Sequence, residues 1–391
     1  MKKRIIGIFT GNRAEYGLML PIIKAIKKHP KLTYKLIVSG AHLSKIHNFS
    51  KNLILKDKIK IDYQIKSLNN FNLIQSRSRA TSILIKKINE IVVKEHPDFL
   101  LVVGDREEAI AMSIVGNYNN VLVAHVAGGD LAYGNSDDPI RYATSKLSHI
   151  HFVFSSNNKK NLIRFGEESF RIFNTGNPIV DLINKTKKIS IKKISEFLKE
   201  KIFLNKYLIF IQHPTSSEKN KNLINYRKTL NALKLFCLKY NFKVVCIAPN
   251  SDPGSKDIIN LIMKYRGEKW LIFKRNIETK FFIHLIKNCF CIIGNSSMGI
   301  LESPFYKKIA INVGSRQKGR LNAGNVFYVN NSTKSIIKSL ENILNTKKFK
   351  KILKVYKTSN PSKKISKIIS NISTNDNKWY TKKKIMLVKN R

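Results

Sequence analysis

What most constrains this chain is the spacing and texture of its apolar runs. Five occur in the first half: "IIGIFTG" (5–11), "YKLIVSG" (34–40), "FLLVVG" (99–104), "VLVAHVAG" (121–128) and "IHFVFS" (150–155). After a polar, Lys-rich interval around 184–206 the pattern restarts with "LIFIQH" (208–213), "KVVCIAPN" (243–250), "WLIFK" (270–274), "CFCIIGNSS" (289–297) and "KIAINVG" (308–314). The runs are near-continuous rather than alternating, as required of strands buried on both faces of a parallel sheet. Segments of helical length and period separate them, such as "LMLPIIKAIKKH" and "IETKFFIHLIKN". This alternation predicts βαβ units, and two sets of them predict an α/β chain of two Rossmann-like, doubly wound domains facing a cleft. The expected division is 1–180, a linker at 181–206, a second domain at 207–360 and a basic segment at 361–391, the last a helix followed by a frayed tail.

Ligands of doubly wound sheets bind beyond the C-terminal ends of the strands. In this chain those ends are polar and glycine-rich: "TGNRAEYG", "GDREE", "HVAGGD", "QHPT", "APNSD", "GNSSMG" and "GSRQKGR". That concentration points to an enzyme.

Charge is a weaker guide. The formal net charge is +47, but 58 of the 72 basic residues are lysines spread along nearly the whole chain. A nucleic-acid binder is expected to cluster its basic side chains and carry a recognisable module, and none is evident, so no specific nucleic-acid partner is expected. The start, "MKKRIIGIFTGNR", has too short an apolar run for a signal peptide (roughly 7–15 residues) and far too short a one for a membrane span (about 20). A cytoplasmic protein with no membrane partner is expected. Cys237, Cys246, Cys289 and Cys291 lie in apolar surroundings without ligand spacing and are expected to be buried free thiols.

One interval departs from the basic background. No lysine occurs between Lys94 and Lys146, while Asp105, Glu107, Glu108, Asp130, Asp137 and Asp138 all fall there. Asp105 closes one apolar run, and Asp130 and Asp137 follow the next; all three are expected to converge on the cleft. Carboxylates so placed can act as general acid or base, or stabilise positive charge developing on a sugar ring. Excluding lysine would leave them unpaired, with undepressed pKa values. Asp105 and Asp137 are read as functional; Glu107 and Glu108 are read as decoration of a helical turn, and Asp138 as a cap.

Opposite them, "CIIGNSSMGILES" runs a strand through Gly294 and Asn295 into Ser296, Ser297 and a helix start. Helix N-termini carry unpaired N–H groups suited to phosphate, and Gly299 is expected to let a ligand approach the backbone. Arg316 and Arg320 in "GSRQKGR", with Arg13 after the first run, offer the planar forks that fit phosphate oxygens. A diphosphate between the domains would use all three. His213 ends "LIFIQH" opposite the carboxylates; His125, inside an apolar run, reads as a satisfied core residue.

Taken in order, "TGNRAEYGLMLPII", "VVGDREEAIA", "HVAGGD…DDPIRYATSKLSHIHF", "GE…RIFNTGNPIVD", "QHPT", "PNSDPGS", "GNSSMGILE" and "GSRQKGR" resemble the hydrolysing UDP-N-acetylglucosamine 2-epimerases over about residues 4–330. These make N-acetylmannosamine or a related sugar for sialic or legionaminic acid synthesis. The resemblance implies a glycosyltransferase-B-like fold whose C-terminal helix packs back toward the first domain. It implies elimination of UDP, a 2-acetamidoglucal and hydration with inversion at C2, with no metal or cofactor. It places Arg13, Asn250, Ser296, Ser297, Gly299, Glu302, Arg316 and Arg320 around UDP, with Glu302 on the ribose hydroxyls. Asp105, Asp137 and His213 fall at the chemistry, with Arg106 and Arg141 nearby. A UDP-sugar is the expected partner and a homo-oligomer, dimer or tetramer, the expected assembly.

Three departures stand out. Many relatives carry a glutamate where this chain has Ala127, Tyr142 replaces a histidine, and the stretch between His125 and Arg141 is one residue longer than in some members. The second carboxylate must then be Asp130 or Asp137, with Asp137 favoured. A non-hydrolysing 2-epimerase, a glycosyltransferase of the same fold and a non-catalytic basic nucleic-acid binder are the alternative readings.

Overall fold

The computed structural model describes residues 2–67, 75–132, 138–346, 352–353, 355–356 and 359–380. The first sheet contains β1 (Arg4–Thr10), β2 (Leu32–Val38), β3 (Tyr63–Gln64), β4 (Phe99–Val103), β5 (Leu122–Val126), β6 (Ile150–Val153) and β7 (Ile172–Asn174), in the order β3-β2-β1-β4-β5-β6-β7. The second contains β8 (Tyr207–Ile211), β9 (Lys243–Ile247), β10 (Leu271–Lys274), β11 (Ile292–Gly294), β12 (Ala310–Val313) and β13 (Val326–Val329), in the order β10-β9-β8-β11-β12-β13. Every pairing is parallel. Both sheets reverse direction after their first strand, so each opens a crevice at its switch point, between β1 and β4 and between β8 and β11.

The apolar runs become strands because helices cover both faces: every residue of β4, β5 and β8 is buried. Three strands fall outside the expected runs. β3, β7 and β13 are two to four residues long and lie at sheet edges; β13 is the short apolar run "VFYV", whose Phe327 and Tyr328 are exposed. The interval read as a linker carries the helix Ile191–Leu198, whose Ile194 and Leu198 are buried, and Phe197 stacks on Phe281 of the second lobe with ring centroids 4.0 Å apart. The four cysteines are buried and free.

The helix Pro361–Asn371 returns to the first lobe, as the family resemblance implies. It packs on the helix Arg13–Lys28; Arg4 Nη1 donates to the Ile369 carbonyl at 3.0 Å, and the Ser362 N–H donates to Asp181 Oδ2 at 2.8 Å. Beyond it, Arg171 is fully buried and donates to the carbonyls of Trp379 (2.8 Å) and Lys378 (2.7 Å). Arg171→Ala would orphan both carbonyls and strip Glu168 of its partner, so it is expected to lower the unfolding free energy by about 3 kcal/mol in a urea titration. The expected frayed tail, 381–391, lies outside the described residues. Among the described residues no helix is long and apolar enough to cross a membrane.

Candidate active site

The two switch-point crevices face each other across one cleft. From the first lobe it is lined by Arg13, Asp105, Arg106 and Arg141, and from the second by His213, Asn250, Ser296, Ser297, Glu302 and Arg316. Its open space is about 240 Å³, and the ion pairs Arg106–Asp252 and Arg320–Asp130 join the two lobes.

Asp105 follows β4 through Gly104, whose φ of +78° turns the chain toward the cleft. His125 on β5 secures that turn: its Nε2 lies 2.7 Å from the Gly104 carbonyl and its Nδ1 lies 3.0 Å from Ser145 Oγ. Burial drives the His125 pKa down to about 3, so the ring is neutral and donates to the carbonyl through Nε2. His125 is thus a satisfied interior residue, as the sequence indicates, and it supports Asp105. Asp105 pairs with Arg141, which also reaches toward Asp138 (3.6 Å) and Asp130 (3.8 Å). Burial alone would raise the Asp105 pKa, but Arg141, Arg320, Arg106 and Arg316 outweigh it and hold the carboxyl below its usual range. The expectation that lysine's absence leaves these acids unpaired is therefore overturned: arginine pairs them instead, as its planar fork suits buried carboxylates. Ala127, where the resemblance expects glutamate, lines the cleft at φ +68°, and its carbonyl accepts from Arg141 Nη1 at 3.4 Å.

In the second lobe, Asn295 clamps the backbone of His213, accepting from its N–H at 2.6 Å and donating to its carbonyl at 2.9 Å. His213 Nδ1 accepts the Asn250 N–H at 3.0 Å. Burial, assisted by Arg316, lowers the His213 pKa to about 3, so its one ring proton sits on Nε2 and the side chain is a neutral donor. Arg13 crosses the cleft, donating to the carbonyls of Arg275 (2.5 Å) and Ala248 (2.8 Å). Burial pulls its pKa down to about 10, still cationic at neutral pH, and no carboxylate among the described residues pairs with it. Glu302 takes no side-chain hydrogen bond among the described residues, and burial pushes its pKa up to about 8.

A family model described as UDP-N-acetylglucosamine 2-epimerase matches residues 24–370. The chain belongs to this family. It is 32% identical, over 90% of its length and 91% of the relative's, to a Legionella pneumophila protein named UDP-N,N'-diacetylbacillosamine 2-epimerase (hydrolyzing). It is 30% identical, over 89% of both chains, to the UDP-N-acetylglucosamine 2-epimerase of Neisseria meningitidis. A Neisseria meningitidis UDP-GlcNAc 2-epimerase solved with UDP-GlcNAc superposes with a TM-score of 0.78 at 22% identity, covering 94% of this chain and 99% of that one. The glycosyltransferase-B-like architecture is that of the 2-epimerases.

Within this 2-epimerase framework, several sequence expectations need revision. Asp130 and Arg320 do not line the cleft; they face each other at 3.0 Å, both buried, as an ion pair between lobes. Gly299 points away from the cleft as well: a Cβ there would meet Ala310 at 3.5 Å, and its N–H already donates to the Ser296 carbonyl. Asp137 lies outside the described residues. Asp138 does cap its turn, accepting the Ala132 N–H at 2.7 Å. Glu107 and Glu108 occupy a first helical turn, but as buried groups: Glu107 accepts from Arg77 at 2.9 Å, and crowding with Glu107 in that buried site helps raise the Glu108 pKa to about 7.

With Glu15 and Asp252, Glu107 and Glu108 surround Arg106. Sequence reasoning missed Glu15, Arg77 and Asp252. Two of them sit inside quoted motifs, Glu15 in "TGNRAEYG" and Asp252 in "PNSDPGS". Gly11 was a further signal, since a Cβ there would fall 1.8 Å from Glu108 Oε1. Among the described residues no cluster of His, Cys, Asp and Glu side chains is arranged to hold a metal ion.

Proposed function

We propose that this chain is a hydrolysing UDP-sugar 2-epimerase, taking UDP-N-acetylglucosamine or a 2,4-diacetamido-6-deoxy analogue to UDP and the free 2-epimerised sugar. In that role it would serve nonulosonic (sialic or legionaminic) acid synthesis. The observation that carries the reading is an ionised carboxylate, Asp105, sharing one cleft with Arg13 of its own lobe and with Arg316, Ser296 and Ser297 of the other. The hydrolytic activity in the name of the Legionella pneumophila relative supports it.

The proposed chemistry begins with the C1–O bond. Arg13 and Arg316 meet the charge growing on the departing diphosphate, and His213, neutral with its proton on Nε2, adds a donor. Asp105, kept anionic by Arg141, faces the cationic character that develops at C1 as that bond stretches. Loss of the C2 proton to a carboxylate, Asp105 or Asp137, then becomes easier, because C1 already withdraws electrons; the 2-acetamidoglucal forms as UDP departs, and water adds across its double bond, hydroxyl to C1 and proton to the opposite face of C2. Glu302 takes the ribose hydroxyls.

The test is incubation with UDP-N-acetylglucosamine and, separately, with UDP-N,N'-diacetylbacillosamine, resolving nucleotide and sugar products. UDP together with a free 2-epimerised sugar is the expected result. UDP-N-acetylmannosamine as the product would move the chain to non-hydrolysing epimerases, and release of UDP only with a sugar acceptor would make it a glycosyltransferase. Salt-sensitive RNA binding without any turnover would favour the basic-module reading.

A further inference from the structure

We propose that Asp252 is a positioning residue that draws Arg106 into the cleft as the lobes close, so that lobe closure completes the set of groups around the reacting C1–O bond. The ligand in this inference rests on the function proposed above; the movement does not. Asp252 follows β9 in the second lobe and is buried. Its Oδ1 accepts from Arg106 Nη1 of the first lobe at 2.7 Å, and its Oδ2, which has no hydrogen bond among the described residues, lies 3.7 Å from Arg316 Nη2. One carboxylate therefore faces one cleft arginine from each lobe.

The surroundings of Arg106 give Asp252 its leverage. Three carboxylates of its own lobe compete for the same guanidinium: Glu107 at 3.4 Å, Glu108 at 3.9 Å and Glu15 at 4.0 Å. All three are buried: burial raises the pKa of Glu15 and Glu108, whereas Glu107, facing Arg106 and Arg77, is held below its usual range in spite of burial and is the charged competitor. With the lobes apart, nothing from the second lobe opposes that pull, and Arg106 is drawn back among them. With the lobes together, Asp252 and Ser251 Oγ (3.3 Å) hold the Nη side of the guanidinium toward the second lobe. The Asp130–Arg320 pair also spans the lobes, but neither of its members lines the cleft, so it acts as a strut without presenting a ligand-facing group.

Asp252→Asn keeps the shape and removes the charge. Three measurements on the full chain test the inference: the radius of gyration of the unliganded protein by small-angle scattering, UDP affinity by calorimetry, and turnover of the UDP-sugar. The expected result is a larger radius of gyration and at least a tenfold fall in turnover, with UDP affinity within threefold of wild type because the nucleotide grip lies on the second lobe. Asp252→Glu, which retains the charge, is expected to stay compact. An unchanged radius of gyration, turnover within twofold of wild type, a fall in UDP affinity as large as the fall in turnover, or a Glu variant as open as the Asn variant would each overturn it. If the wild-type chain releases UDP from no nucleotide sugar, the proposed function fails, and the scattering comparison still decides the movement.

Discussion

Asp105→Asn is expected to lower turnover about a thousandfold while UDP still binds, an effect of about 4 kcal/mol on the transition state. The substitution is nearly isosteric and retains an oxygen that can accept from Arg141, so the turn at Gly104 and the His125 contact that supports it should persist. Only the negative charge is lost. Four arginines keep Asp105 ionised, and its carboxylate lines the cleft with 21% of the side chain exposed. A neutral amide there leaves developing positive charge at C1 without its counter-charge. In the proposed function the donors for UDP lie mainly on the other lobe, so calorimetric affinity should move by less than threefold. Turnover within tenfold of wild type would remove Asp105 from the chemistry; parallel loss of UDP binding would make it a structural partner of Arg141.

The same residue shows what one sequence can and cannot disclose. Asp105, His213 and Ser296 were legible because doubly wound topology brings strand ends to a crevice, and continuous apolar runs such as 99–104 and 208–213 mark where strands end; Asn250 was named through the family resemblance. β3 and β7 were not legible, because short edge strands bury too little to need such a run, and β13, although its "VFYV" is apolar, was missed because the run is only four residues long. The pairing of Asp130 with Arg320 was not legible because their contact spans 190 positions and depends on how the lobes meet, which neither local segment encodes. Glu107 and Glu108 looked like surface residues, since glutamate is rarely buried unless paired. Their partners are Arg106, beside them in sequence, and Arg77, which reaches Glu107 from a distant helix. The lysine-free interval has a physical reading in these pairings: Asp105, Glu107, Asp130 and Asp138 all face arginines.

Gly294→Ala is expected to destabilise the protein by about 3–5 kcal/mol and to abolish UDP binding. Gly294 ends β11 at φ +130°, a backbone region closed to L-residues, and pairs with Ile211 at the end of β8. A Cβ there would lie 1.9 Å from the Ile211 carbonyl oxygen and 2.5 Å from its carbon, and neither backbone atom can swing aside as a side chain would. Relief requires β8 and β11 to part at the switch point, where the Asn295 N–H donates to the Ile211 carbonyl at 3.2 Å. Parting them carries His213, two residues beyond Ile211, away from Asn295, which clamps it from both sides, and shifts Ser296 and Ser297 with it. Gly267→Ala supplies the comparison: φ there is +96° with nothing within 4 Å of the added Cβ, so the backbone penalty of about 1–2 kcal/mol stands alone and UDP should still bind. A urea titration paired with calorimetry separates the two cases. Equal behaviour of the two variants would mean that the close approach of β8 and β11 does not hold the serine corner and the histidine in register, and the nucleotide grip would then need a different support.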